Sequence, residues 1–529
     1  MVLREMTVND LLEEKVTKYP DKTAVEFLEC SYTWKELDEI SDYLAAYYME
    51  CGVEKGTHVG IFSVNSINWV CVYLALAKIG AVSVLINFNY KYDELLYAVR
   101  YSRVEYLCYG EGFKEVKFQD LVDRLKAEKP WRMRQYISIG RDRDGEWYQK
   151  DKLPYIAPES MRMLKERKEQ VHADDFLSMI FTSGTTAQAK GVRLTHYQLL
   201  NVAMEAGALM HWNETDIICL SLSLFHCFGL STGLLANLVT GGMICLLPDF
   251  RSLTMLKAIQ KYRCTILNGV PSMFLAMLNN PAFGEYDLSS LKTGVIAGSG
   301  VRRQDYIHVK QAFGYEALEQ SYGQTEASPS ITFSDYEDDL EIKAASVGKV
   351  IPNVELRICN PQNDTELPAG EEGEVQIKGF NVMKEGYYRK TAETRKVFAK
   401  DGWLKTGDLG YVDEDGNLYI TGRSKDVIIR CGENISPKEV EEAIMEYPQV
   451  KDVSVFGIEA PVVQEEVAAC IMCQGEFEEE ALREFLKDRL ANYKIPQYYY
   501  IFKEFPLRSN GKLDKKRLMQ MVEKRRTSK

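Results

Sequence analysis

A surplus of basic charge is what this chain most clearly lacks. Its 65 lysines and arginines are outnumbered by 77 aspartates and glutamates, a net charge of −12. Nucleic acid is excluded as the main partner, because a phosphate backbone rewards a basic face. A small anionic ligand needs only one local positive site and stays open. Histidine is scarce too, and the six present fall at no metal-binding spacing, which sets a zinc centre aside. The opening "MVLREMTVNDLLEEK" carries no apolar leader, and the 12 cysteines have no paired spacing. A cytoplasmic protein with reduced thiols is the expectation. The one Cys-x-x-Cys, Cys470 and Cys473, lies in "EEVAACIMCQG", which reads as a strand. Positions three apart on a strand face opposite sides, so the pair is filler rather than a redox or zinc motif.

Charge disappears altogether from Ile217 to Pro248. That length would span a bilayer. Yet His226, Asn237, three serines and the pair Gly241-Gly242 cut it into strand, loop, helix, turn and strand, each buried within protein. No transmembrane segment is expected.

What is present is enough for several cores. A chain of 529 residues is too long for one, so two or three domains are expected. Short apolar runs alternate with helical patterns, as in "WVCVYLALAKIG" then "AVSVLINF", or "KTGVIAG" then "QDYIHVKQAFG". This rhythm predicts an α/β fold with largely parallel sheets covered by helices. Around 340–422 the texture turns to short strands and turns, an antiparallel and partly barrel-like subdomain. After "ITGRSKD" a smaller helix–strand rhythm resumes, opened by "SPKEVEEAIMEYP", with a Ser N-cap, Pro in the first turn and Glu three residues on. The expected division is a large domain over 1–424 and a small, mobile α+β domain over 425–529. The basic tail reads as a solvated helix face.

One segment cannot build a core. "FTSGTTAQAKGVRLTH", residues 181–196, follows the apolar run "FLSMIF" and gathers hydroxyls, glycines and a lysine. Gly184 and Gly191 permit unusual backbone angles, and exposed amides with Ser and Thr hydroxyls suit phosphate oxygens. Lys190 adds a point charge. The mononucleotide pattern GxxxxGK[ST] does not fit, since six residues separate the two glycines and Lys190 precedes Gly191. A polar surface loop is the plain alternative.

The loop resembles the phosphate loop of the adenylate-forming superfamily, which includes acyl-CoA synthetases, luciferases and peptide-synthetase adenylation domains. The resemblance runs nearly end to end, through "YTWKELDEISDYLA", "SLFHCFGL", "GVPSMF" and "QSYGQTEAS". It continues through "DGWLKTGDLGYVDEDGNLYITGRSKDVI", "CGENISPKEVEEAI" and "FPLRSNGKLDKKRL". In two places the loop departs from the family, with Ala187 where Gly is usual and Ala189 where Pro is usual. The added methyl would restrict the backbone and the lost proline would loosen it.

The resemblance implies a reaction in two halves: a carboxylate attacks the α-phosphate of ATP to give acyl-AMP and pyrophosphate, then a thiol displaces AMP. It implies that Thr182, Ser183, Gly184, Thr185, Thr186 and Lys190 cradle the phosphates. Glu326 would be the Mg²⁺ carboxylate, with Thr182 and Thr325 hydroxyls near the metal. Its alternative is a charge at a helix N-terminus. Tyr322, within Ser321–Gly323, would stack on adenine against the turn Gly298-Ser299-Gly300. Asp408 would grip the ribose and Arg423 make a second ribose or phosphate contact, although Asp beside Gly is usually a turn. Lys512, in "SNGKLDKK", matches the lysine that stabilises the adenylation transition state. Lys425 would be the hinge of the small domain, and Gly432 would line the pantetheine tunnel, with Cys431 as packing. His226, with Phe228 beside it, matches an aromatic gate next to the acyl pocket, which Gly298 would also line.

No acidic residue between 217 and 248 could take a substrate ammonium, and the pocket-facing pieces are apolar and small. A fatty or aryl carboxylic acid is favoured over an amino acid. "CGENISPKEVE" is the pattern of ligases that use coenzyme A. Two alternatives stand: an acyl-AMP ligase loading a carrier protein, of which this chain shows no domain, and a non-catalytic nucleotide-binding relative. Luciferase-like oxygenation has no positive sign. A homodimer is left open.

Overall fold

A computed structural model describes residues 2–28, 30–129, 132–141, 147–148, 153, 155–182, 189–423, 426, 428–430, 433–460, 464–475, 477–487, 489–490, 494–508 and 512–527. The chain gathers into two compact units, Met1–Glu355 with Ile377–Leu404, and Leu356–Gln376 with Lys405–Lys529. The change of sequence texture near 424 marks a change in element type. Compactness instead follows the hydrogen-bonded strands, which carry 356–376 and 405–423 into the second unit.

Unit 1 holds two large sheets. The first has nine strands in the order Lys349–Val350, Ser330–Phe333, Ala317–Gly323, Thr293–Ala297, Ile266–Leu267, Ile217–Leu220, Met243–Leu246, Thr23–Phe27 and Cys30–Thr33. Its six middle strands run parallel, and antiparallel strands finish both edges. The second has six strands, from Lys190–Thr195 through Phe176–Thr182, Val82–Leu85, His58–Phe62 and Tyr106–Tyr109 to Gln135–Ser138. All its pairings are parallel except the first. The parallel-rich expectation holds for the same reason in both sheets: apolar strands too short for helices, each followed by an amphipathic run, must cross over on a helix.

The uncharged stretch folds as its polar punctuation predicts. Strand Ile217–Leu220 leads by a loop into a π-helix, Gly229–Leu235, which continues as the α-helix Ala236–Thr240 and turns at Gly241 into strand Met243–Leu246. Among the described residues no helix is long and apolar enough to cross a membrane. The regular sheet also does something sequence spacing hides. Cys219 and Cys245 are register partners on adjacent parallel strands, and Cys264 precedes the next strand. Their sulfurs come within 4.8 Å of one another, fully buried in the apolar core beside Met255. There they pack as small hydrophobes.

Unit 2 contains the four-stranded sheet Val354–Cys359, Gly373–Gly379, Leu404–Val412 and Leu418–Arg423 for most of its length. A five-stranded sheet follows, around Gln464–Cys473. Cys470 packs into one core and Cys473 against the other, so the Cys-x-x-Cys straddles the sheet. Ser436 caps helix Pro437–Met445 by accepting from the Glu439 amide, as its sequence signature requires.

Candidate functional site

The glycine- and hydroxyl-rich loop is a hairpin connection. Strand Phe176–Thr182 enters it and strand Lys190–Thr195 leaves it antiparallel, so Thr182 and Lys190 face each other as register partners at its base. A mononucleotide P-loop would run on into a helix; this one returns as a strand, and the helix begins only at His196 behind a Thr195 capping box. Ser183, Gly184, Thr185, Thr186 and Ala187 lie outside the described residues. The base of the hairpin is held by tyrosines that sequence reasoning did not single out. Tyr97 donates to the Ala189 carbonyl at 2.9 Å, and the Gly191 amide donates to the Tyr101 hydroxyl at 3.2 Å. The Tyr388 amide donates to the Gly191 carbonyl at 2.8 Å, and Val192 bridges antiparallel to Tyr387. The Lys190 ammonium stands 4.4 Å from the centre of the Tyr387 ring.

The second half of the site comes from the nine-stranded sheet. Ala297 and Ser321 are register partners on adjacent parallel strands. The turn Gly298-Ser299-Gly300 therefore begins beside Tyr322, whose strand runs on to Gly323, at the carboxyl ends of the parallel strands, where open α/β sheets bind ligands. Gly298 has φ of +85°, a backbone that favours glycine, whereas the Ser321 hydroxyl is used within the sheet, donating to the Thr332 carbonyl at 2.9 Å. Tyr322 is half-buried. A single 3₁₀ turn, Thr325–Ala327, follows and lies against strand Phe176–Thr182. The two sheets thus meet where the turn carrying Thr325 and Glu326 lies against the strand that ends at Thr182. The three-residue turn is too short to give Glu326 a helix dipole to serve. Its side chain is instead buried, with the Tyr387 hydroxyl donating to Oε1 at 2.7 Å. Burial beside that carboxylate pushes the Tyr387 phenol far up, so it stays a donor.

The Cys227 sulfur lies 3.4 Å from the Thr325 hydroxyl, which brings the turn carrying His226 and Phe228 to the same place. The His226 ring packs 4.2 Å from Phe225, which meets Phe88 edge-on. Phe228 is the residue that enters the π-helix. Such helices are often found at functional sites.

In unit 2, Asp408 is on a strand rather than in a turn. Arg423 is its register partner on the neighbouring strand, and their side chains pair at 2.9 Å with Asp408 buried and Arg423 largely exposed. Lys512 is exposed, its carbonyl accepting from the Arg508 amide at 2.7 Å. Lys425, Cys431 and Gly432 lie outside the described residues. Tyr387 lies in "GYYRK", residues 386–390, where two adjacent tyrosines look like ordinary packing.

Comparison with known proteins agrees with this architecture. Residues 12–388 match the AMP-binding enzyme family, and residues 439–512 match the AMP-binding enzyme C-terminal domain. YngI of Bacillus subtilis, named as an acyl-CoA synthetase, is 36% identical over 97% of this chain and 96% of its own. The mitochondrial medium-chain acyl-CoA ligase ACSF2 of Danio rerio is 30% identical over 99% of this chain and 89% of its own. Among solved structures, ATP-bound MatB from Rhodopseudomonas palustris superposes with a TM-score of 0.83 at 25% identity, covering 98% of this chain and 99% of that one. The o-succinylbenzoate-CoA synthetase MenE from Bacillus subtilis, with its acyl-adenylate intermediate, gives 0.80 at 25% identity, covering 98% of both chains. The chain belongs to the AMP-binding enzyme family.

Proposed function

We propose that this chain is an AMP-forming acyl-CoA ligase acting on a medium-chain or aryl carboxylic acid. It activates the acid as acyl-AMP with release of pyrophosphate, then passes the acyl group to coenzyme A. The observation that carries the reading is the contact between strand Phe176–Thr182, whose last residue pairs with Lys190 at the base of a polar hairpin, and the turn that holds the buried carboxylate of Glu326. Adenylation asks the protein for little covalent work and much charge management, and this arrangement supports that task.

The donor set fits Mg²⁺, a hard cation that takes one or two protein oxygens and completes its shell with phosphate and water. Glu326 would hold it, with the hydroxyls of Thr325 and Thr182 nearby. Bound there, it would supply charge neutralisation along the phosphates. Lys190 brings a second positive charge to the hairpin that cradles the β- and γ-phosphates. Tyr322 stacks on adenine against the turn at Gly298, and Asp408, held by Arg423, accepts from the ribose hydroxyls. Lys512 stabilises the charge that develops on the α-phosphate, which requires the small domain to close. The resemblance implies an alternation of the small domain between the two half-reactions, with Lys425 as its hinge and Gly432 beside the path of the thiol. An alternation of this kind needs only a few residues to absorb the dihedral change.

The apolar surroundings of His226 and the uncharged 217–248 stretch support a carboxylic acid without a second charge. The names of the relatives support coenzyme A as acceptor. All eleven described cysteines are free, which fits a reducing compartment such as the cytoplasm. The test is pyrophosphate release from ATP across a panel of fatty and aryl acids, with and without coenzyme A. Thioester formed only with the thiol present supports the reading. Adenylate without thioester would move the acceptor to a carrier protein, and silence with every acid would sink it.

A further inference from the structure

The proposed metal carboxylate and the proposed phosphate lysine come from different sheets. Glu326 follows a strand of the nine-stranded sheet, and Lys190 opens an edge strand of the six-stranded one. Charges of opposite sign that must serve one triphosphate need a fixed separation, and neither sheet alone sets it. Besides the direct contact of strand Phe176–Thr182 with the turn of Glu326, segment 383–388 touches both. At one end the Met383 amide donates to the Glu326 carbonyl at 2.9 Å. At the other, the Tyr388 amide donates to the Gly191 carbonyl, and Tyr387 bridges Val192. The Tyr387 amide is itself tied to the Thr394 hydroxyl at 2.9 Å.

We propose that Tyr387 is a positioning residue that registers the metal carboxylate against the phosphate-loop lysine, its hydroxyl fixing Glu326 and its ring face holding Lys190. This rests on the ligase reading for the identity of the two charges. The hydroxyl occupies Oε1 at 2.7 Å and leaves Oε2 for a ligand, which fixes the carboxylate rotamer. A carboxylate that binds metal usually has such a hydrogen-bonded partner behind it. The ring lies 4.4 Å from the Lys190 ammonium, within the range where the negative face of an aromatic holds a cation. The arrangement places Lys190 and Glu326 on one rigid side chain instead of letting them collapse into a direct ion pair, which would neutralise both before ATP arrives.

Two substitutions separate the two roles. Tyr387→Phe keeps the ring and removes the donor; Tyr387→Leu removes both. Calorimetric titrations of the full-length protein with MgATP, and with ATP in chelator, report the metal-dependent and metal-independent parts of binding. Tyr387→Phe is expected to weaken MgATP binding on the order of tenfold while leaving ATP in chelator within about twofold. Tyr387→Leu is expected to weaken both. In a Glu326→Gln background, Tyr387→Phe should change nothing further, because the two residues act as one unit. The proposal is overturned if Tyr387→Phe binds MgATP like the parent. It also fails if that variant weakens both titrations equally, or if its effect persists unchanged in Glu326→Gln. Melting temperatures of all variants show whether the fold is intact. A parent that binds MgATP but makes no acyl-CoA from any acid would refute the ligase reading alone, since these titrations need no acid.

Discussion

Gly323 makes the sharpest prediction about the adenine side of the site. It sits on a β-bulge, where the pairing of Tyr322 with Thr332 slips before Gly323 meets Ser330. A Cβ built on it would lie 1.7 Å from the Pro329 carbonyl oxygen and 2.7 Å from the carbonyl carbon, both backbone atoms. Ordinary contact begins at 3.4 Å, so Gly323→Ala forces the two backbones apart by about 1.7 Å. That displacement falls between Tyr322 and Thr325-Glu326, and a misplacement of about 1 Å near a reacting centre can cost on the order of a hundredfold in rate. Overpacking adds a stability cost of about 1–3 kcal/mol. Gly298→Ala tests a different physics: its positive φ costs about 1–2 kcal/mol with a side chain, but its nearest new neighbour is a single valine methyl at 3.1 Å rather than backbone. Gly284→Ala, away from the site with nothing within 4 Å, is the control. Pyrophosphate release, with circular dichroism melts, should rank the variants Gly284→Ala unchanged, Gly298→Ala intermediate and Gly323→Ala at least a hundredfold down in kcat/KM. Gly323→Ala within threefold of the parent would refute the steric argument.

Three further outcomes follow from other parts of the chain. Lys512→Gln removes the exposed ammonium without disturbing a core; pyrophosphate release should fall sharply while thioester formation from preformed acyl-adenylate persists, and equal loss of both steps would contradict the assigned role. Lys343→Met strands the fully buried Glu319, its partner at 2.7 Å, and should cost about 3–5 kcal/mol. Burial already holds the Glu319 carboxyl above its usual range despite Lys343, so a carboxyl that is more protonated folded than unfolded makes the variant melt lower as pH rises. Adding Glu319→Gln should recover most of the loss. Burial pushes Glu441, in unit 2, up to about 7 from 4.5, with Lys515 pulling down and Asp452 and Asp426 pushing up. The folded state therefore binds the extra proton between those values, and stability should fall by ~3 kcal/mol as pH rises from 4.5 to 7. Glu441→Gln can still accept from the Val455 amide; its unfolding midpoint should be flat over that window, and an unchanged slope would assign the titration elsewhere.

The elements were largely legible because their signals are local. The Ser436 cap, the alternation of short apolar runs with amphipathic ones, and the break of the uncharged stretch at Gly241 each act within a few residues. What stayed hidden was set by sheet register. Nothing in the spacing of Cys219, Cys245 and Cys264 brings three sulfurs together; adjacency of parallel strands does. The π-helix at Gly229–Leu235 was read only as a helix, since one extra residue per turn leaves no mark in a run that is apolar on every side. The compact units, too, part at hydrogen-bonded strands rather than where composition changes.

The same distinction explains the site. The residues proposed to meet the ligand directly fall in polar, glycine-bearing stretches, so "TSGTTAQAK" and "YGQTE" stand out against their surroundings. Tyr387 is different in kind. It faces inward, is mostly buried, and satisfies every rule for a packing residue, so nothing in the sequence separates it from the other thirty tyrosines. Only the coordinates show that its hydroxyl and its ring reach groups from two different sheets. Besides the direct contact of the two sheets, segment 383–388 ties one to the other through Glu326 and Gly191. Within it Met383 and Tyr387 are buried while Lys384 and Glu385 face solvent, and the burial of Tyr387 is what makes it look like core.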